Sequence, residues 1–130
     1  MSGLEKVLKE CNGLIFIYNV TVNNSLQNLK WIIEKINNMN IHNSVKILVG
    51  NMCDLKDKRI ISKKDGKDFA KKYNIEKYFD TSAKTGENVN EAFEFLIKNI
   101  IKNIQKENVI IIINIFIYIL DKHNFRQKIK

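Results

Sequence analysis

The sequence is poor in the residues that build metal centres and disulfide frameworks. Its 130 residues include no proline, two cysteines and two histidines. Two cysteines are too few for a disulfide framework or a four-cysteine zinc site, and two histidines disfavour a histidine-rich metal centre. The first ten residues, MSGLEKVLKE, contain no apolar run, which argues against a signal peptide. We therefore expect a cytoplasmic protein without a metal site.

Arginine is also scarce, although the chain is basic. The net charge is +8, and Arg59 and Arg126 are the only arginines among 22 basic residues. Proteins that read base edges or grip phosphates with two hydrogen bonds depend on arginine. Since the lysines are also spread along the chain, we expect general attraction to anions and no nucleic-acid partner. With 45% hydrophobic residues, most of the chain is expected to fold, as one domain.

Continuous apolar runs alternate with amphipathic segments along the first hundred residues. Runs of this kind are typical of strands that are buried on both faces of a parallel sheet. The predicted strands are 14–18, 45–49 and 78–79, and the predicted helices are 26–36, 63–73 and 89–104. The alternation predicts an α/β fold in which three parallel strands alternate with three helices.

Polar residues follow the second and third predicted strands directly. Asn51 and Asp54 come after one strand, and Ser82-Ala83-Lys84 comes after the next. In parallel sheets, ligands bind at the carboxyl ends of the strands. A carboxylate there can accept two hydrogen bonds from the ring N–H and amino group of guanine, a donor pair that adenine lacks. Each segment alone reads as a turn-forming loop, but the two together are more specific.

These two segments carry a resemblance to a known family. The run GNMCDL at 50–55 and the run FDTSAKTGENVNEAF at 79–93 resemble the guanine-binding motifs of Ras-like small GTPases, with the Rab family most similar. The likeness covers about residues 7–105 and the C-terminal part of that family. Lys9-Glu10-Cys11, together with Cys53, is similar to the Rabs of lysosome-related organelles. The resemblance implies an incomplete P-loop small-GTPase fold, a partial domain over residues 1–106 followed by an Ile-rich, basic tail over 107–130.

The first motif implies a set of roles toward guanine. Asp54 would specify the base, and Asn51 would support the loop and reach the ring. Met52 stands where the family has a lysine. A methionine can pack along the base as the lysine stem does, but it cannot reproduce the ammonium contacts.

The second motif implies three further roles. Ser82 would hold the loop, Ala83 would donate its backbone N–H to the exocyclic oxygen of guanine, and Lys84 would cover the ring face with its stem. By resemblance the ligand is GTP or GDP, and the partners are Rab effectors or regulators. The implied function is GTP-dependent vesicle trafficking, with a peripheral place on endomembranes.

The motifs that handle phosphate are not among these 130 residues. None of the five glycines belongs to Gly-x-x-x-x-Gly-Lys-Ser/Thr or to Asp-x-x-Gly. We therefore expect no catalytic residue, no Mg²⁺ site, no GTP hydrolysis and at best millimolar nucleotide binding from this chain alone. Two other interpretations stay open: a non-catalytic pseudo-GTPase interaction module, and a truncated gene-model fragment.

The tail carries its own expectations. No cysteine follows Cys53, so we expect no prenyl anchor and at most weak association with a membrane surface. Residues 109–120, VIIIINIFIYIL, are too few to span a bilayer, and their β-branched residues favour a strand. One hypothesis pairs this strand with the open edge of the Leu14 strand. The alternative is an aggregation-prone or translated non-coding segment.

Overall fold

A computed structural model describes residues 3–41, 43–107 and 115–119 of the chain. Two single turns of 3-10 helix, Gln27–Leu29 and Lys56–Lys58, accompany the regular elements. The helices are α1 (Gly3–Glu10), α2 (Lys30–Asn37), α3 (Lys63–Lys72) and α4 (Val89–Glu107), and the strands are β1 (Gly13–Asn19), β2 (Val45–Asn51), β3 (Lys77–Asp80) and β4 (Ile115–Ile119).

One parallel sheet organises the described part of the chain. The strand order is β3-β2-β1-β4, and every neighbouring pair is parallel. β1 lies in the interior of the sheet and is buried along its whole length. The predicted α/β class and the three predicted parallel strands are confirmed, each strand extending one or two residues beyond its predicted limits at one end or both.

The sheet separates two hydrophobic cores. Because side chains alternate across a strand, Leu14, Phe16 and Tyr18 of β1 point to the face that α1, α2 and α3 cover. Ile15 and Ile17 point to the other face, where they pack with Leu96 and other residues of α4. Burial on both faces explains why β1 reads as a continuous apolar run rather than an alternating one.

The described residues contain one α-helix in addition to the three that were predicted. The missed helix is α1, in which Leu8 is fully buried and Leu4 packs against the first core. An isolated helix of eight residues is not stable in water, and this one depends on its contacts with the sheet domain. Its few apolar residues span only two helical turns, so their spacing did not distinguish a helix from a loop.

The first predicted helix, 26–36, begins later in the structure than expected. The Ser25 hydroxyl donates to the backbone oxygens of Asn19 and Val22, at 2.6 and 2.9 Å, and so stabilises the turn after β1. A turn of 3-10 helix follows, and α2 begins after Leu29 without a side-chain cap. The second predicted helix, 63–73, is confirmed as α3, which Ser62 caps by accepting from the backbone N–H of Asp65 at 3.1 Å.

The tail contributes a strand to the sheet. β4 pairs with β1 in parallel, in the register Gly13↔Ile115 to Ile17↔Ile119. The hypothesis that this segment covers the edge of the Leu14 strand is confirmed for residues 115–119, while 109–114 and 120 lie outside the described residues. The sequence-based boundary between 106 and 107 falls within the last turn of α4. Within the described residues, no helix is both long and apolar enough to cross a bilayer.

Removing β4 should weaken the fold. A chain ending at residue 107 leaves the N–H and C=O groups of β1 unpaired on one side, with each lost hydrogen bond costing about 1 kcal/mol. We expect a lower urea midpoint and association detectable by light scattering. A chain ending at residue 120 is the matched control and should behave like the full chain. Equal midpoints and a monomeric shorter chain would contradict the role of β4.

Gly66→Ala tests the close packing of α3 on the sheet. A Cβ at this position would lie 2.5 Å from Tyr78 Cε2 and 2.6 Å from Tyr18 Oη. Overpacking costs about 1–3 kcal/mol, more than the roughly 1 kcal/mol that alanine gains over glycine in a helix. We expect a net loss in urea unfolding, whereas exposed Lys67→Ala should change stability little. A Gly66→Ala variant that is more stable than the parent would be the opposite result.

Candidate functional site

The structure brings the two sequence motifs together at one edge of the sheet. Asn51 is the last residue of β2, and Asp80 is the last residue of the neighbouring β3. Two backbone hydrogen bonds cross between the loops that follow: Thr81 N–H donates to Gly50 O at 2.8 Å, and Cys53 N–H donates to Thr81 O at 3.0 Å. The loops therefore extend the pairing of β2 and β3 beyond the strands.

Asn51 links the loops through its side chain. It is 4% exposed, and its Oδ1 accepts from Thr81 Oγ1 at 3.2 Å and from the Ala83 N–H at 3.1 Å. The Ala83 N–H, which the resemblance assigns to the ligand, is thus donated to Asn51 in this structure. The side-chain NH₂ of Asn51 is the part of the amide that is left to donate to a ligand.

Ser82 makes the second side-chain link. Fully buried, it donates through Oγ to Asp54 Oδ1 at 2.8 Å and accepts from Thr85 N–H at 3.1 Å. Asp54 itself is half-buried. A carboxylate has about four lone-pair positions, so one serine leaves acceptor capacity for a ligand. Ser82 thus joins its own loop to Asp54, while its role in a guanine site stays a prediction.

Met52 and Lys84 lie in contrasting environments. Met52 is half-buried and packs against the first core, and its backbone has φ 69°, a left-handed conformation that is uncommon for residues other than glycine. Its core contacts differ from the expected role along a base. Lys84 is exposed. Its role over a ring face stays a prediction.

An ion pair that the sequence reasoning missed lies behind the second loop. Arg59 donates two hydrogen bonds to the Asp80 carboxylate, at 2.6 and 2.9 Å, and a third to Ile61 O at 2.7 Å. Tyr78 Oη also donates to Asp80, and Tyr18 Oη donates to Tyr78 Oη at 3.1 Å. The available signal was the rarity of arginine, together with the position of Asp80 immediately before the second motif.

The ion pair determines the ionisation of its members. Burial of Asp80 acts to raise its pKa, but the hydrogen bonds from Arg59 and Tyr78 outweigh this and hold the pKa below its usual value. Burial raises the pKa of Tyr78, and it raises the pKa of Tyr18 to about 12. Asp80 therefore accepts as an anion while both tyrosines stay protonated and donate at neutral pH.

Cys53 connects the first loop to the start of α4. Its Sγ donates to Glu87 Oε2 at 3.3 Å, and the Glu87 backbone oxygen accepts from Ser82 N–H at 3.1 Å. Burial, followed by the hydrogen bond to Glu87, raises the pKa of the thiol to about 12. The thiol is thus a structural group rather than a nucleophile. Asn88 completes the arrangement by donating from Nδ2 to Asp80 O at 2.8 Å.

Other parts of the described structure offer weaker candidates. No group of three or more histidine, cysteine, aspartate or glutamate side chains in the described residues is arranged to hold a metal ion. A cavity of about 470 Å³ lies away from the two motifs and is lined by Asn23, Ile60, Phe69 and others. Aspartates and lysines both line it, so it has no single charge character.

Comparison with known proteins gives one consistent answer. The Ras family model matches residues 3–102. Ras-related protein Rab-27B of Bos taurus is 33% identical over 99 residues, which is 75% of this chain and 45% of that protein. Ras-related protein Rab-8B of Pongo abelii and of Homo sapiens is 35% identical over 95 residues, 73% of this chain and 45% of each relative. The chain thus spans about half the length of the curated relatives it matches.

Asp80→Asn should change both stability and its pH dependence. An asparagine leaves Arg59 without its charge partner, and breaking such a pair costs about 3 kcal/mol or more at neutral pH. Because the folded pKa of Asp80 is lowered, its contribution is fully present above the unfolded value near 4 and is lost as pH falls through the folded pKa. The difference from wild type, measured by urea unfolding, should therefore shrink below about pH 4.

Asp68→Asn is the matched control for that experiment. Asp68 pairs with Lys64 at 2.8 Å, but both side chains are more than half exposed. Exposed pairs contribute at most about 1 kcal/mol, so little change is expected. A difference between Asp80→Asn and wild type that stays constant from pH 7 to pH 2 would contradict the ionised pair.

Proposed function

This chain belongs to the Ras family of small GTPases, and from that premise we propose that 51–54 and 82–84 form the guanine-recognition part of a nucleotide site. The observation that supports this most directly is the pair of side-chain bridges between the two loops. Asn51 holds Thr81 and Ala83, while Ser82 holds Asp54. These bonds join two loops about 30 residues apart in the chain, whereas a side chain that only forms a turn bonds to its own neighbourhood.

Asp54 recognises the Watson–Crick edge of the base in this proposal. Its carboxylate accepts from the ring N–H and the amino group of guanine, both in the ring plane. Adenine presents an acceptor and a single donor on that edge, so one acceptor of adenine would face the carboxylate. Hydrogen bonds to charged groups contribute about 1.5–3 kcal/mol each, which makes Asp54 the main determinant of base selectivity.

Asn51 and Ala83 recognise the opposite edge. The Asn51 NH₂ group donates to the N7 and O6 acceptors of guanine, and the Ala83 N–H is shared between O6 and Asn51 Oδ1. Adenine carries an amino group in place of O6, so two donors would meet. The Lys84 stem covers one face of the ring.

The base contacts alone support only weak binding. Two charge-assisted hydrogen bonds supply about 3–6 kcal/mol, and association costs about 4–15 kcal/mol. This balance is consistent with a Kd of about 1 mM or weaker. The 130 residues include neither Gly-x-x-x-x-Gly-Lys-Ser/Thr nor Asp-x-x-Gly. We therefore assign no Mg²⁺ site and no GTP hydrolysis to this chain by itself.

The biological role follows from the family. We propose GTP-dependent control of vesicle traffic at the periphery of endomembranes, through Rab effectors and regulators. The pseudo-GTPase module and the gene-model fragment are the alternatives, and nucleotide selectivity separates the proposal from both.

A titration followed by the amide resonances of the two loops tests the base site. GMP should bind the full 130-residue chain with a Kd of about 1 mM or weaker, and at least about tenfold more tightly than AMP. IMP, which lacks the 2-amino group, should bind about tenfold more weakly than GMP, the loss of one hydrogen bond to a charged group.

Asp54→Asn should transfer the preference from GMP to XMP. The 2-oxygen of xanthine accepts from the new side-chain NH₂, while the side-chain oxygen still accepts from the ring N–H. Asp57→Asn is the matched control, since Asp57 is exposed in the 3-10 turn after the motif. A folded chain that binds GMP and AMP equally would overturn the proposed function and favour the interaction module. A chain that does not fold would favour the fragment.

A further inference from the structure

We propose that Arg59 is a positioning residue that fixes the distance between the two loops of the base site. The importance of this role for nucleotide binding rests on the proposed function, whereas the contacts that support it involve no ligand. Arg59 belongs to the connection between β2 and α3, downstream of Asp54. Its guanidinium donates to Asp80, Tyr78 and Ile61, and of these Asp80 is the residue that leads directly into the second loop.

The guanidinium is held from several sides. Nη1 and Nη2 donate to the two Asp80 carboxylate oxygens at 2.6 and 2.9 Å, and Nε donates to Ile61 O at 2.7 Å. The Arg59 side chain is 18% exposed and Asp80 is 7% exposed. A paired geometry of this kind fixes the orientation as well as the distance of the two groups. Lysine has no planar fork and cannot reproduce it.

The connection that carries Arg59 is itself fixed to the sheet. The backbone N–H groups of Ile60 and Ile61 both donate to Val20 O, at 2.9 and 3.0 Å. Val20 directly follows β1. The backbone next to Arg59 is therefore held by hydrogen bonds to the residue that follows β1, which restrains the position from which the side chain reaches Asp80.

Asp80 transmits this restraint to the base site. Its carboxylate is held by Arg59, and its backbone oxygen accepts from Asn88 Nδ2 at the start of α4. The next residue, Thr81, bonds to Gly50, Cys53 and Asn51. Asp80 is thus restrained directly before the second loop begins. Arg59, which restrains it, belongs to the connection that follows the first loop.

The hydroxyl groups behind Asp80 leave no room for adjustment. A Cβ at Gly50 would lie 2.5 Å from Tyr78 Oη and 2.9 Å from Tyr18 Oη. The strand before Asn51 therefore approaches the tyrosine pair closely. Because β2 is already in contact with the tyrosines, we expect a change in the Arg59–Asp80 contact to move the second loop rather than β2.

Amide hydrogen exchange on the ligand-free, full-length chain tests the proposal. In Arg59→Ala, we expect the N–H groups that cross between the loops, those of Cys53, Thr81 and Ala83, to exchange at least about tenfold faster. The amides within the β1–β2 ladder should keep their wild-type rates. Arg59→Lys, which keeps the charge and loses the fork, should give an intermediate acceleration.

Lys63→Ala is the matched control. Lys63 Nζ lies 3.9 Å from the same Asp80 oxygen, but its side chain is 68% exposed. It approaches as a second cation without a directed hydrogen bond, so its removal should leave the loop amides unchanged. Faster exchange of the loop amides in the Arg59 variants, but not in Lys63→Ala, would then reflect the paired hydrogen bonds of the guanidinium and not the positive charge near Asp80.

Two results would overturn the inference: unchanged exchange at the loop amides in both Arg59 variants, or equal acceleration throughout the β1–β2 ladder. The second would mean that Arg59 acts on global stability alone. If Arg59→Ala does not fold, Arg59→Lys decides between the same outcomes.

A second readout separates this inference from the proposed function. The ratio of GMP to AMP affinity should fall toward 1 in Arg59→Ala and recover in part in Arg59→Lys. If wild type shows no nucleotide preference while the loop amides respond as expected, the positioning role stands and the guanine site fails. If the preference exists and neither Arg59 variant alters it, the positioning role fails and the guanine site stands.

Discussion

The pairing of Gly50 with Asp80 across β2 and β3 is the contact on which the candidate site depends. Two parallel strands end side by side at this point, so the polar residues after each strand begin from adjacent positions. Asn51 then meets Thr81 and Ala83, and Asp54 meets Ser82. A register shift of one residue would turn these side chains to the other face of the sheet.

The sheet can hold this register because its interior strand is covered on both faces and bordered on both edges. β1 packs against α1, α2 and α3 on one side and against α4 on the other, with β2 and β4 as neighbours. The relatives in the comparison match about 45% of their length to this chain. Within the described residues, β1 is nevertheless packed by a hydrophobic core on each of its two faces.

Sequence reasoning reached those features that depend on local pattern. Burial on two faces produces an unbroken apolar run, so β1 and β2 were recognisable, and the helix predicted at 63–73 lies within one residue of α3. The adjacency of Asn51 and Ser82 followed from the rule that parallel strands end at one edge. Features set by tertiary contact were not accessible: α1 has too few residues for a strong periodic signal, and the turn that Ser25 stabilises after β1 delays the start of α2 to Lys30. The Arg59–Asp80 pair joins residues 21 positions apart in the chain, and the rarity of arginine alone does not identify its partner.

Amide and side-chain shifts of the isotope-labelled chain, recorded at saturating GMP, test the central claim most directly. The perturbed resonances should be those of 51–54 and 82–85, with the Asn51 side-chain NH₂ among them, and AMP at the same concentration should shift them clearly less. Perturbation centred instead on the cavity lined by Asn23 and Phe69, or an identical response to GMP and AMP, would contradict it.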